Sequence, residues 1–127
     1  MDLDRLQSVL PAKVNDDEML VWRGRHLSVT VLLQVGDAEF LIDIQRGKVA
    51  AVRRGPFVMP SWQFALRIDT DSWERFCQPL PPPGFHDLMA LVKSRRLRIE
   101  GDLHPFMSNL LYFKSLLESV RLPRGAE

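Results

Sequence analysis

From Leu27 to Ile68 the apolar residues fall at every second position, and a period of two commits that stretch to β-strands. Val29, Val31, Leu33 and Val35 alternate with Ser28, Thr30, Leu32 and Gln34, and Phe40, Ile42 and Ile44 alternate with Leu41, Asp43 and Gln45. Gly36-Asp37 and Arg46-Gly47 separate these runs from each other and from a third, Lys48 to Arg54, and such pairs suit tight hairpins. Phe64, Leu66 and Ile68 alternate with Ala65 and Arg67 as a fourth strand. The segment between the third and fourth strands, residues 55–62, holds Pro56 and Pro60 and is too long for a tight turn. It reads as a crossover to another place in the sheet. Alternation of this kind leaves one face of the sheet covered and the other wetter.

Past Ile68 the period lengthens to that of a helix. Trp73, Phe76, Cys77 and Leu80 stand at i, i+3, i+4 and i+7, with Thr70 or Asp71 as the N-cap and Glu74 as the capping-box partner of Asp71. Residues 79–84, Pro-Leu-Pro-Pro-Pro-Gly, stop that helix. Phe85, Leu88, Met89 and Val92 repeat the stripe, and Leu97 and Ile99 between Arg96, Arg98 and Glu100 form a short fifth strand. Asp102 then caps a last helix that tolerates Pro105 in its first turn. Leu103, Phe106, Met107, Leu110, Phe113, Leu117 and Val120 lie along one side of this single helix and Leu116 widens it, so the apolar arc exceeds a narrow packing seam. Ahead of the strands, Leu3, Leu6 and Leu10 predict a short helix that Pro11 ends, and Met19 to Trp22 follow as a second helical turn or as irregular chain. Helices gathered on one face of a sheet make an α+β layer structure.

The chain's 127 residues suit a single domain over 1–127, with a helical segment at 1–26, a core at 27–120 and a tail at 121–127. Seventeen Lys and Arg against sixteen Asp and Glu leave a net charge of +1, too little for a long-range field that captures DNA, RNA or an acidic membrane. Cys77 is the lone cysteine, so neither an internal disulfide nor a cysteine metal cluster is expected. Met1-Asp2-Leu3-Asp4-Arg5 lacks the basic start of a secretory signal, no stretch reaches the ~20 apolar residues of a membrane span, and Arg124-Gly125-Ala126-Glu127 is not a peroxisomal address. The expected location is cytoplasmic.

Four segments in order, Arg46-Gly47-Lys48-Val49, the alternation over Phe64–Ile68, the helix start Asp71-Ser72-Trp73 and above all Leu97-Arg98-Ile99-Glu100-Gly101-Asp102, together resemble the sterol carrier protein type 2 domain. Members of that family commonly carry a "dGkv" hairpin, an "aD-x-tl" strand and a "g-k-l-k-i-e-G-D" strand before the final helix. The resemblance spans about residues 27–120; Arg95-Arg96 stand here where the family usually has a glycine before its fifth strand. It implies a five-stranded mixed, largely antiparallel sheet with helices covering one face. It also implies a tunnel between sheet and helices for a fatty acid, an acyl-CoA, a sterol or an isoprenoid.

On that expectation the wall residues are Phe40, Ile42, Phe64 and Leu66 from the sheet, and Trp73, Phe76, Leu88 and Met89 from the middle helices. Phe106, Leu110, Phe113 and Leu117 close the wall from the last helix, and Met59, Met89 and Met107 suit an adaptable cavity. Plain core packing accounts for the same stripe. Trp62, Tyr112 and Phe57 read as half-buried aromatics or as a contact for a partner or membrane surface. Arg53, Arg54, Arg95, Arg96 and Arg98 read as solvated strand residues or as a clamp for a phosphate. His26, His86 and His104 are scattered, so no metal and no cofactor is expected, and Cys77 on an apolar stripe reads as an inert thiol. Without a nucleophile elbow or a phosphate-cradling glycine loop the chain reads as a non-catalytic lipid binder. Nucleic acid is excluded as a partner, membrane contact is at most transient, and the alternative is a scaffold that forms a homodimer or assists a lipid-modifying enzyme such as one of quinone biosynthesis.

Overall fold

A computed structural model describes residue 3 and residues 5–121. The readings of the two chain ends concern residues 1, 2, 4 and 122–127 and lie outside the described residues. Five strands form one sheet: β1 (Val29–Val35), β2 (Ala38–Gln45), β3 (Lys48–Arg54), β4 (Phe64–Ile68) and β5 (Leu97–Gly101), in the order β3-β2-β1-β4-β5. β1 and β4 pair in parallel, and the remaining neighbours are antiparallel. The parallel pair is the crossover predicted from the two-proline segment.

The register sorts each strand into two faces. Val52, Ile42, Val31 and Phe64 form one inner row, and Phe40, Leu33, Leu66 and Ile99 form the next. A bulge between Asp43 and Ile44 lets Ala50 slip out of the ladder, which brings both Val49 and Val52 inside although they are three residues apart. The outer face departs from expectation. Leu32, Leu41 and Ala65 are buried there as a small second core, because Phe57 and Trp62 of the crossover fold back over them. The tip of that crossover, Val58 and Met59, is 94% exposed, which corrects the reading of Met59 as cavity lining.

The described residues also form six helices: α1 (Arg5–Asn15), α2 (Glu18–Arg23), α3 (Thr70–Phe76), α4 (Leu88–Lys93), α5 (Leu103–Ser108) and α6 (Leu110–Glu118). Pro11 does not end α1. Leu6, Leu10 and Val14 recur at i, i+4 and i+8 and are all buried, so burial outweighs the hydrogen bond that proline removes. α1 also protects the β3 edge. The Asn15 side chain donates to the Val49 carbonyl (3.1 Å) and accepts from the Val49 N–H (2.8 Å), while Gln7 donates to the Val52 carbonyl (3.4 Å).

Two caps differ from the sequence reading. The N-cap of α3 is Asp69, one residue ahead of Thr70, and it accepts from the Ser72 N–H. Burial works to raise the Asp69 carboxyl, but the hydrogen bonds from Ser72 and the nearby Arg96 outweigh it and hold the group below its ordinary value. Asp102 caps α5 as expected, accepting from the His104 N–H at 3.1 Å. The last helix is not continuous: it breaks at Asn109 (φ −124°, ψ 34°), whose side chain donates to the Pro105 carbonyl at 3.0 Å. The Arg121 guanidinium fastens the far end of α6 by donating to the Phe76 carbonyl (2.8 Å) and to the His86 carbonyl (2.6 Å).

Candidate functional site between sheet and helices

The inner face of the sheet and the helices share one apolar core, and ten of the twelve predicted wall residues lie buried in it: Phe40, Ile42, Phe64, Leu66, Trp73, Phe76, Leu88, Phe106, Phe113 and Leu117. Leu110 packs against that core from a half-buried position, and Met89 stands half-buried outside it. The sequence reading therefore gathered side chains that do meet in space. Met107, at 52% exposed, points away from the core.

Where α5 and α6 close over β4, the interior is filled by rings. Phe64 stands edge-on to Phe106 (centroids 5.6 Å) and to Phe113 (5.1 Å), and Phe106 stacks on Phe113 at 5.6 Å. Edge-to-face contacts at these spacings add attraction beyond burial alone. Tyr112 continues the cluster edge-on to Phe113 and is itself buried, which corrects its reading as a partly exposed aromatic. Its hydroxyl donates to the Gly47 carbonyl, and burial raises its pKa well above the ordinary value.

Polar atoms are sparse in this core. Cys77 is buried and its thiol is pushed up from 9.0 to about 12, mainly by desolvation, so it stays protonated near neutrality. Trp73 stacks on Phe76 at 5.7 Å, and its buried indole Nε1–H finds no acceptor among the described residues. Leaving such a donor unpaired costs about 1–3 kcal/mol. The sequence marked Trp73 only as an apolar position; an orphaned donor has no signature in a helical stripe.

Depressions open on the surface of the described residues. One, of about 320 Å³, lies at the α5–α6 break, lined by Arg23 and by Met107 to Tyr112. Leu103 beside it and Leu111 within its lining are 47% and 64% exposed, on either side of the break. A second, of about 480 Å³, separates α1 and α2 from Lys48, with the exposed Trp22 and Arg25 on its rim. A third, of about 400 Å³, holds Arg67, Arg95, Arg96 and Arg98 at the opposite end of β4 and β5. No group of three or more His, Cys, Asp or Glu among the described residues is arranged to hold a metal ion. No helix among them is long and apolar enough to cross a membrane.

No known family model matches the sequence, and no curated protein is significantly similar to it. Solved structures are similar in fold. A crystal structure of sterol carrier protein 2 superposes with a TM-score of 0.73 at 13% identity, over 90% of this chain and 92% of that one. A UbiJ-SCP2 ubiquinone synthesis protein gives 0.60 at 13%, over 93% and 94% of the two chains. A palmitated SCP2L2 from Aedes aegypti gives 0.59 at 14%, over 89% and 93%. The five-stranded mixed sheet with its helices is thus similar to that of these structures, and the chain has a sterol carrier protein 2-like fold.

Proposed function

We propose that this domain binds a lipid-like apolar molecule without catalysing a reaction, holding it between the inner face of the sheet and the helices. The observation that carries the reading is the composition of that interior: largely hydrocarbon, with one buried side-chain donor among the described residues, Trp73 Nε1–H, lacking an acceptor. A fatty acid, acyl-CoA, sterol or isoprenoid matches both features, offering a long apolar body and an oxygen at one end. Burial of its chain drives binding at about 0.8 kcal/mol per CH₂. The palmitated insect structure of the same fold supports the class of ligand.

Entry runs through the α5–α6 break. The Phe64–Phe106–Phe113 rings occupy the space beneath these helices, so a guest enters as α5 and α6 move away from β4 and the rings reorient. Asn109, where the helical hydrogen bonding is interrupted, is the hinge. Displacement of a fluorescent fatty acid tests the reading. The wild type binds the probe saturably and Leu110→Trp changes the affinity; absence of saturable binding, or a Leu110→Trp affinity equal to that of the wild type, contradicts it.

One observation favours a second reading. The exposed Leu103 and Met107 of α5 and Leu111 of α6 suit a protein contact, in which the domain acts as a scaffold with a filled interior. The UbiJ-SCP2 structure, named for ubiquinone synthesis, supports an accessory role of that kind. Light scattering separates the two readings: a homodimer dissociated by Leu111→Asp supports the scaffold, and a strict monomer counts against it.

A further inference from the structure

The outer face of the sheet ends in a cluster of guanidinium groups that the apolar interior does not use. Gln34, Arg67 and Arg98 stand side by side across β1, β4 and β5, and Arg95 and Arg96 enter from the turn that leads into β5. These residues line the depression of about 400 Å³ together with Gly36, Asp37, Ile68 and Asp69. Like charges on adjacent strands repel, and a single carboxylate answers two of them: Glu100 lies 3.3 Å from Arg67 and 2.7 Å from Arg98.

Arg96 lies near Asp69 and helps hold that carboxyl low, and no carboxylate among the described residues pairs with Arg95. Asp69 is held by the Ser72 N–H and hydroxyl at 2.9 and 2.6 Å as the α3 cap, and Asp37 stands exposed on the β1–β2 turn. The guanidinium groups are held in place. Gln34 accepts a hydrogen bond from Arg67, and Arg96 lies over the Phe85 ring at 4.8 Å and donates to Ser72 Oγ at 3.5 Å. Arg95 is the exception. Its side chain has no hydrogen bond or ion pair among the described residues, and its backbone sits at φ 62°, a conformation glycine adopts freely and arginine does not. That conformation closes α4, with the Arg95 N–H donating to the Val92 carbonyl (3.0 Å) and the Arg96 N–H to the Leu91 carbonyl (2.9 Å), and it fixes where Arg95 leaves the chain.

We propose that this pocket binds a phosphate group, with Arg95 and Arg96 closing on an oxygen pair that Arg67 and Arg98 orient. Planar guanidinium forks match phosphate oxygens two at a time. The site lies on the outer face, at the end of β4 remote from Phe64, and is independent of the apolar interior. Four residues of strand separate Ile68 from Phe64, about 13 Å.

The test titrates inorganic pyrophosphate, ADP and phosphatidic acid vesicles into the protein at constant ionic strength, following the Gly36 amide and the arginine Nε–H resonances. Saturable shifts with pyrophosphate or ADP assign a soluble phosphate, and saturable binding to the vesicles alone assigns a lipid headgroup. In either case Arg95→Gly weakens binding roughly tenfold while the melting temperature holds or rises, because glycine relieves the backbone. Arg53→Ala, on the same face but outside the pocket, leaves binding unchanged. Absence of saturable binding from both sources, or an Arg95→Gly protein that binds like the wild type, overturns the proposal.

Discussion

The Tyr112 hydroxyl donates a 2.7 Å hydrogen bond to the Gly47 carbonyl, joining α6 to the β2–β3 turn across 65 residues of sequence. Both partners are buried. Tyr112→Phe strips that carbonyl of its donor with almost no change of shape, and a loss of about 1–3 kcal/mol follows. Urea unfolding at neutral pH measures it directly as a lower midpoint at unchanged slope.

The same junction has no room for a methyl group. A Cβ on Gly24 would lie 2.7 Å from the Tyr112 ring and 2.9 Å from Gly47 Cα, and one on Gly47 (φ 82°) would lie 2.5 Å from the Val21 carbonyl oxygen. Gly24→Ala forces the end of α2 away from α6 and destabilises by about 2 kcal/mol or more. Thermal unfolding reads the effect. A Gly24→Ala protein as stable as the wild type contradicts the close approach of α2, α6 and the hairpin.

Alkaline pH is the weak side of this core. Burial raises the Tyr112 phenol above its ordinary value and the Cys77 thiol to about 12. A raised folded-state pKa means that folding favours the protonated form. The stability is complete below the unfolded values, 9.0 for the thiol and 10.0 for the phenol, and is lost as pH climbs past them toward the folded ones. Urea midpoints therefore hold steady through neutral pH and fall above about pH 9. In Cys77→Ser/Tyr112→Phe the alkaline fall relative to that protein's own neutral midpoint is shallower. At pH 8 a thiol reagent labels native Cys77 only at the rate of unfolding.

Trp73→Phe separates ligand recognition from folding. The substitution removes an unpaired donor and keeps most of the apolar volume, so stability changes by less than about 1.5 kcal/mol. If a ligand oxygen accepts from Nε1, affinity for an oxygen-bearing lipid falls roughly five- to tenfold. Affinity for a hydrocarbon of equal length stays put. Isothermal titration with the two ligands gives both numbers.

Much of this molecule is legible in its sequence because period and burial agree. All five strands lie where the alternation puts them, since residues such as Phe40, Ile42, Phe64 and Leu66 have one covered face to occupy. The failures have a common cause in tertiary contact. Pro11 reads as a helix end, yet Leu10 and Val14 on either side of it are buried and carry the helix through. The final stripe reads as one helix, but the break at Asn109 depends on a side chain reaching back to Pro105, which periodicity does not encode. Leu32 and Leu41 read as the wetter face because the fold of Phe57 and Trp62 over them is a long-range event. At the candidate site the set of side chains was legible, whereas the stacking of Phe106 on Phe113 and the orphaned Trp73 donor emerged only in three dimensions.

Native mass spectrometry of the freshly purified wild-type domain tests the lipid-binding account most directly. The account predicts an added mass of one lipid-like molecule per chain, released on unfolding in organic solvent, and restored when the delipidated protein is given an oxygen-bearing lipid of that mass. A bare chain mass that no fatty acid, acyl-CoA, sterol or isoprenoid shifts contradicts it.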